Sequence, residues 1–274
     1  MASLDAQIAE SQKQIAEAQA KISAISDRIA ATPEAGAAID IENATLADVH
    51  KHTDLMNANI AELIMGLDDV TAGFTEDFAE LRSKTAMESV VGFFSRGKSE
   101  AMRQERLRDA SIDAKLQDLI AKSDVIVKLL QGQLDLLNTQ KAKVEANLIG
   151  TLDEREGTVA ALEAVRAEIA GMDPAIIELE NKIAVEMDAA ARTKLESELA
   201  ALNTRHNALV QDEQVMLAKS QTLERYIEKG KTWVDSLQNQ AATQMVLINK
   251  LQTDTKQRVV LYDALTSSLK TAQQ

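Results

Sequence analysis

The chain reads as all-α, an elongated bundle of long antiparallel helices with coiled-coil seams. Three observations predict this. Apolar residues recur at three- and four-residue spacing over long stretches, the period of one face of an α-helix. Aromatic residues make up only 3% of the chain and prolines number 2, while alanine, leucine, glutamate, glutamine and lysine dominate, a composition that favours long helices. No convincing strand interrupts the pattern, because short valine-rich pieces such as "RVVLY" sit inside longer helical periods.

The first segment, about 3–31, repeats Ile8, Ile15, Ile22 and Ile29 every seventh position, with Leu4, Ala18 and Ile25 in the offset row. That is a coiled-coil seam and a candidate oligomer contact, since β-branched residues pack well at such positions. Pro33 stops this helix and Gly36 loosens the link that follows. A second helix starts near Thr45, where "TLAD" has the form of a capping box. It carries Val49, Thr53, Met56, Ile60, Leu63, Leu67, Val70, Phe74, Phe78 and Leu81 on one face. A third runs through Ile112, Leu116, Leu119, Ile126, Leu130, Leu134, Leu137, Val144 and Leu148, with Gly150 as its expected stop. Gly132 costs it about 1 kcal/mol against alanine, unless a neighbouring helix needs the close approach.

A fourth segment, about 152–170, carries Leu152, Val159, Leu162, Val165 and Ile169. Gly171 is expected to end it, with Asp173 as the N-cap of a new helix and Pro174 at its first position. The next row, from Ile176, Leu179, Ile183 and Met187 to Leu195, Leu202, Leu209, Met216 and Leu223, shifts near 189–192, which reads as a stutter in the seam. A kink is expected at Gly230, before a last helix carrying Trp233, Leu237, Ile248, Leu251, Val259, Tyr262, Leu265 and Leu269. The organisation expected is an N-terminal coiled-coil helix at 1–32, a linker at 33–44, and a helical bundle at 45–274 with a corner near 86–100.

The formal net charge of -13 argues against general affinity for nucleic-acid phosphates, which needs clustered cations. The chain has no cysteine, which excludes disulfides, thiol catalysis and cysteine-ligated zinc, and fits a reducing compartment. The N-terminus has neither the basic nor the apolar part of a signal peptide, so the expected location is cytoplasmic. No apolar run is long enough to span a bilayer. Among the three histidines, His50 and His52 pair on the helix face with Asp54 and Asp48, four residues away in each case. They point about 200° apart and cannot chelate one metal from a regular helix. His206 lies in an inward row between Leu202 and Leu209, where a polar residue sets register. "SRGKSE" contains Gly-Lys-Ser, but Met87 stands where a phosphate loop needs its first glycine, and no strand precedes it. No catalytic, cofactor or metal residues are therefore assigned, and the chain is expected not to be an enzyme.

One stretch differs from the rest. "SVVGFFSRGKSEAMRQERLR", residues 89–108, holds Phe93 and Phe94 side by side, followed by Arg96, Lys98, Arg103, Arg106 and Arg108. Three readings fit it. It is a helix–helix corner whose rings cap the bundle end, an apolar wedge beside cations that anchors at a membrane surface, or a docking site for an acidic partner.

"VVGFFSRGKS", the following helix "LQDLIAKSDVIVKLLQGQLDLLNTQKAKVEANL" and the later "LESELAALNTRHNALVQDEQVMLAKSQTLERYIEKGKTWVDSLQNQ" resemble the bacterial toxic-anion (tellurite) resistance family, the TelA-like proteins, over roughly 85–265. The family's proline-tryptophan pair is absent, because Trp233 follows Thr232. The first 35 residues have no counterpart. The resemblance implies an all-helical, cytoplasmic protein without cofactor or catalytic residues, tied to stress or anion resistance. The function expected is thus a non-enzymatic scaffold or stress-resistance protein, acting as a homo-oligomer or with another helical protein. The alternative is a membrane-associating, pore-forming or remodelling protein that uses segment 90–98.

Overall fold

The computed structural model describes residues 4–31, 43–91 and 98–272. They form helices α1 (Leu4–Ala30), α2 (Asn43–Val91), α3 (Lys98–Val185) and α4 (Ala189–Ala272). No strand occurs among the described residues. The all-α class and the bundle read from the sequence are what the chain adopts.

The chain divides into two compact units. The first comprises 1–23, 42–140 and 237–274. Here α1 runs antiparallel to α2, with Gln14 bonded to Asn59 and Lys21 to Asp48. It runs parallel to α3, with Asp5 paired to Lys122 and Ser23 to Gln140. α4 is antiparallel to α3, through Gln117 with Tyr262 and Ser123 with Arg258, and parallel to α2, through Asn57 with Gln244. The result is an up-down-up-down four-helix bundle. Its core unites Ile8, Ile15, Met56, Ile60, Leu63, Leu67, Leu116, Leu130, Ile248 and Leu251, residues supplied by all four helices.

The second unit comprises 24–41 and 141–236. It is an antiparallel hairpin of α3 and α4, with the last turns of α1 laid against it. Arg155, Arg166 and Asp173 of α3 face Glu224, Glu213 and His206 of α4 in that order. The hairpin turns at Glu186–Asp188. Asp188 is the N-cap of α4, because its carboxylate accepts the Ala191 N–H at 2.8 Å, an otherwise orphaned donor of the first helical turn.

Several local expectations change. α3 does not stop at Gly150, nor does it break at Gly171 and Pro174, which lie inside it. The proline removes one backbone donor, a cost of about 3 kcal/mol in a helix interior. The seam holds the helix as it reaches the proline: Leu162 and Met172 are buried ahead of it, and Arg166, Glu168 and Asp173 each hold a partner on α4. The shift read as a stutter near 189–192 is the start of α4 after the turn. Leu152 faces outward, and Thr151 and Thr158 take the buried positions instead.

The row Ile8, Ile15, Ile22 and Ile29 is buried within the chain itself, at 8, 4, 0 and 2% exposure. The seam's cover is supplied within the chain, by its own helices. α4 passes through Gly230 without a break. The glycine serves close approach, because a Cβ there would lie 2.6 Å from Leu148 Cδ2, whereas Gly132 and Gly171 have open space around them.

This contrast gives a stability prediction. Gly171→Ala should gain about 0.5–1 kcal/mol from helix propensity. Gly230→Ala should fall about 1–3 kcal/mol below it, the usual cost of overpacking. Paired urea melts measure both, and equal gains would contradict the close packing at Gly230.

Candidate functional site

The interior of the first unit is not wholly apolar. Inward positions of α4 recur at Gln244, Ile248, Leu251, Thr255, Arg258 and Tyr262, the three-four spacing of a seam. That spacing carries a guanidinium into the core. Arg258 is 1% exposed. Its Nε donates to Thr71 Oγ1 at 2.9 Å, one terminal nitrogen donates to Ser123 Oγ at 3.0 Å, and the other to Asp68 Oδ1 at 2.6 Å. One side chain thereby ties α4 to both α2 and α3. Asp68 is 38% exposed and also takes Lys250 at 3.2 Å. Hydrogen bonds from Lys250, first to Asp254 and then to Asp68, raise its pKa above the ordinary lysine value.

Two further amides are buried in the same unit. Gln133 and Gln244 are fully buried. The Gln244 amide donates to Asn57 Oδ1 at 2.6 Å, while neither amide atom of Gln133 has a protein partner.

A second polar cluster, in the hairpin unit, holds the end of α1. Trp233 Nε1 donates to Ser26 Oγ at 3.0 Å, and both side chains are buried. The Tyr226 hydroxyl donates to the carbonyls of Ile29 and Ala31, and Asn147 Nδ2 donates to Ile29 O at 3.2 Å. Lys143 pairs with Asp27. The carbonyls are the groups a helix C-terminus leaves without intrahelical partners, so α3 and α4 cap α1 from outside. Burial raises the Tyr226 pKa above its ordinary 10.0, partly offset by the Asn147 hydrogen bond.

His206 lies in the hairpin seam, its Nε2 3.1 Å from Asp173 Oδ1. It joins the two helices, the role expected from its inward position. His50 is exposed and His52 faces Glu17 at 3.6 Å. Among the described residues no three or more histidine, aspartate or glutamate side chains gather as a metal site. No helix among them is long and apolar enough to cross a membrane. Phe93, Phe94 and Arg96 lie outside the described residues, as do the side chains of Lys98 and Arg103. No family model, curated protein or solved structure matches the chain.

Sequence reading missed Arg258, Gln133 and the Tyr226–Trp233 cap. The signal for the first was its seam position; nothing local marks the others, whose partners are set by how the helices pair.

Two predictions test these clusters. Asp68→Ala leaves the Arg258 charge buried without its counterion and should cost about 3 kcal/mol or more. Arg258→Met should cost under about 1 kcal/mol. Thr71 and Ser123 still donate to the carbonyls of Leu67 and Leu119, and Asp68 keeps Lys250. Denaturant melts of both variants check the asymmetry, and a larger loss in Arg258→Met would contradict it. For Tyr226 the folded pKa is the higher one, so its contribution is complete below pH 10 and lost as pH rises through the folded value. The melting temperature of wild type should fall faster than that of Tyr226→Phe above pH 10, and parallel profiles would refute the buried cap.

Proposed function

We propose that this protein is a non-enzymatic helical scaffold that acts by association with copies of itself or with other helical proteins. The observation that carries this reading is where the buried polar side chains point. Arg258 reaches α2 and α3, Gln244 reaches α2, and Trp233 and Tyr226 reach α1. Each is committed to holding one helix against another, and the seam histidine is committed in the same way to Asp173. Polar groups so used fix which helices pair and at what register. The resemblance of "VVGFFSRGKS" and the helices after it to TelA-like proteins supports stress or anion resistance as the setting. A chain without cysteine suits the cytoplasm.

Sedimentation velocity from low to high micromolar concentration tests this. The expected result is a concentration-dependent rise above the mass of one chain, with no flotation on anionic vesicles at low salt. A single-chain mass throughout, together with flotation, would overturn the scaffold reading in favour of a membrane role.

A further inference from the structure

The end of α1 is held by a cluster of directed bonds around its last carbonyls. Within the first unit α1 contributes Ile8, Ile15 and Ala18 to an apolar core. Within the second, its last turns bury Ile25 and Ile29 and are also gripped by directed bonds. Trp233 takes the Ser26 hydroxyl, Tyr226 and Asn147 take terminal carbonyls, and Lys143 takes Asp27. α3 and α4 thus present a receptor for one kind of object, the C-terminal end of a helix with a serine and an aspartate in its last turns. Along its buried face α1 also carries Ser11, Ala18 and Ser26 between larger residues, each 4% exposed or less. These small side chains limit the apolar contact that keeps α1 in place. The sequence from α1 to α2, residues 31–42, includes Pro33 and Gly36.

We propose that this receptor also accepts α1 of a second copy, so that copies associate by exchanging their first helices. This rests on the self-association reading above and names its contact. An exchanged α1 remakes every bond of the original: Ser26, Asp27 and the Ile29 carbonyl of one copy meet Trp233, Lys143, Tyr226 and Asn147 of the other. Association then needs no exposed seam, in keeping with an isoleucine row buried inside the single chain. Exchange of an identical element is a low-cost route to closed dimers, because only concentration and the connecting segment decide between the two forms.

The chain's lack of cysteine makes the test direct. Asp27 and Lys143 are both more than a third exposed, so Asp27→Cys and Lys143→Cys give up one screened pair and keep the Trp233, Tyr226 and Asn147 bonds to α1. The two single variants are unfolded together, refolded at high concentration and treated with a short bismaleimide. A two-chain product absent from either variant alone is expected. The double variant is then cross-linked within one chain at high dilution and reconcentrated. It should stay monomeric where wild type associates. If wild type associates, the mixture gives no two-chain product and the locked chain still associates, exchange is wrong and the scaffold reading stands on another surface. If wild type stays single at every concentration, exchange and self-association fall together.

Discussion

The antiparallel register of α3 on α4 is the constraint on which the rest depends. It is set at the turn Glu186–Asp188, where Asp188 caps the returning helix. In the hairpin unit the register aligns Arg166 with Glu213 and Asp173 with His206, and it brings Gly230 under Leu148. In the four-helix unit it sets Arg258 beside Ser123 and Gln117 beside Tyr262. A slip of one residue would rotate every inward side chain of α4 by about 100°. Arg258 would leave its three acceptors, and a side chain other than glycine would meet Leu148.

Apolar burial supplies most of the adhesion, and the polar core supplies discrimination. The aliphatic seam is repetitive, so isoleucine and leucine rows pack in several registers at similar free energy. Arg258 is not repetitive. It has Asp68, Thr71 and Ser123 in one alignment, and in any other it is a buried charge without partners, which is costly. The Trp233–Ser26 bond and the Tyr226 cap do the same for α1. The surface pairs, such as Lys182 with Glu178, are exposed and screened and contribute little.

The helical class and the buried face of α2 from Val49 to Leu67 were legible because period is local information that folding preserves. The isoleucine row was legible as a buried seam, but not its cover: what packs on Ile15 depends on the topology of three other helices. Gly150, Gly171 and Pro174 read as stops because propensity counts one residue at a time. In α3 the packing of Leu162 and Met172 and the ion pairs beside them outweigh those local costs. The true turn at 186–188 has the weaker signal of one capping aspartate. Arg258 was hidden for a related reason, since an arginine is expected outside until its three partners on other helices are known.

Amide hydrogen exchange with residue resolution across 145–190 tests the central claim most directly, that α3 is one helix whose only break is the turn which sets the register. Protected amides should run continuously past Gly150 and on both sides of Pro174, with fast exchange confined to 186–188. Fast exchange at 150–152 or 170–176, with protection through 186–188, would place the turn elsewhere and contradict the register.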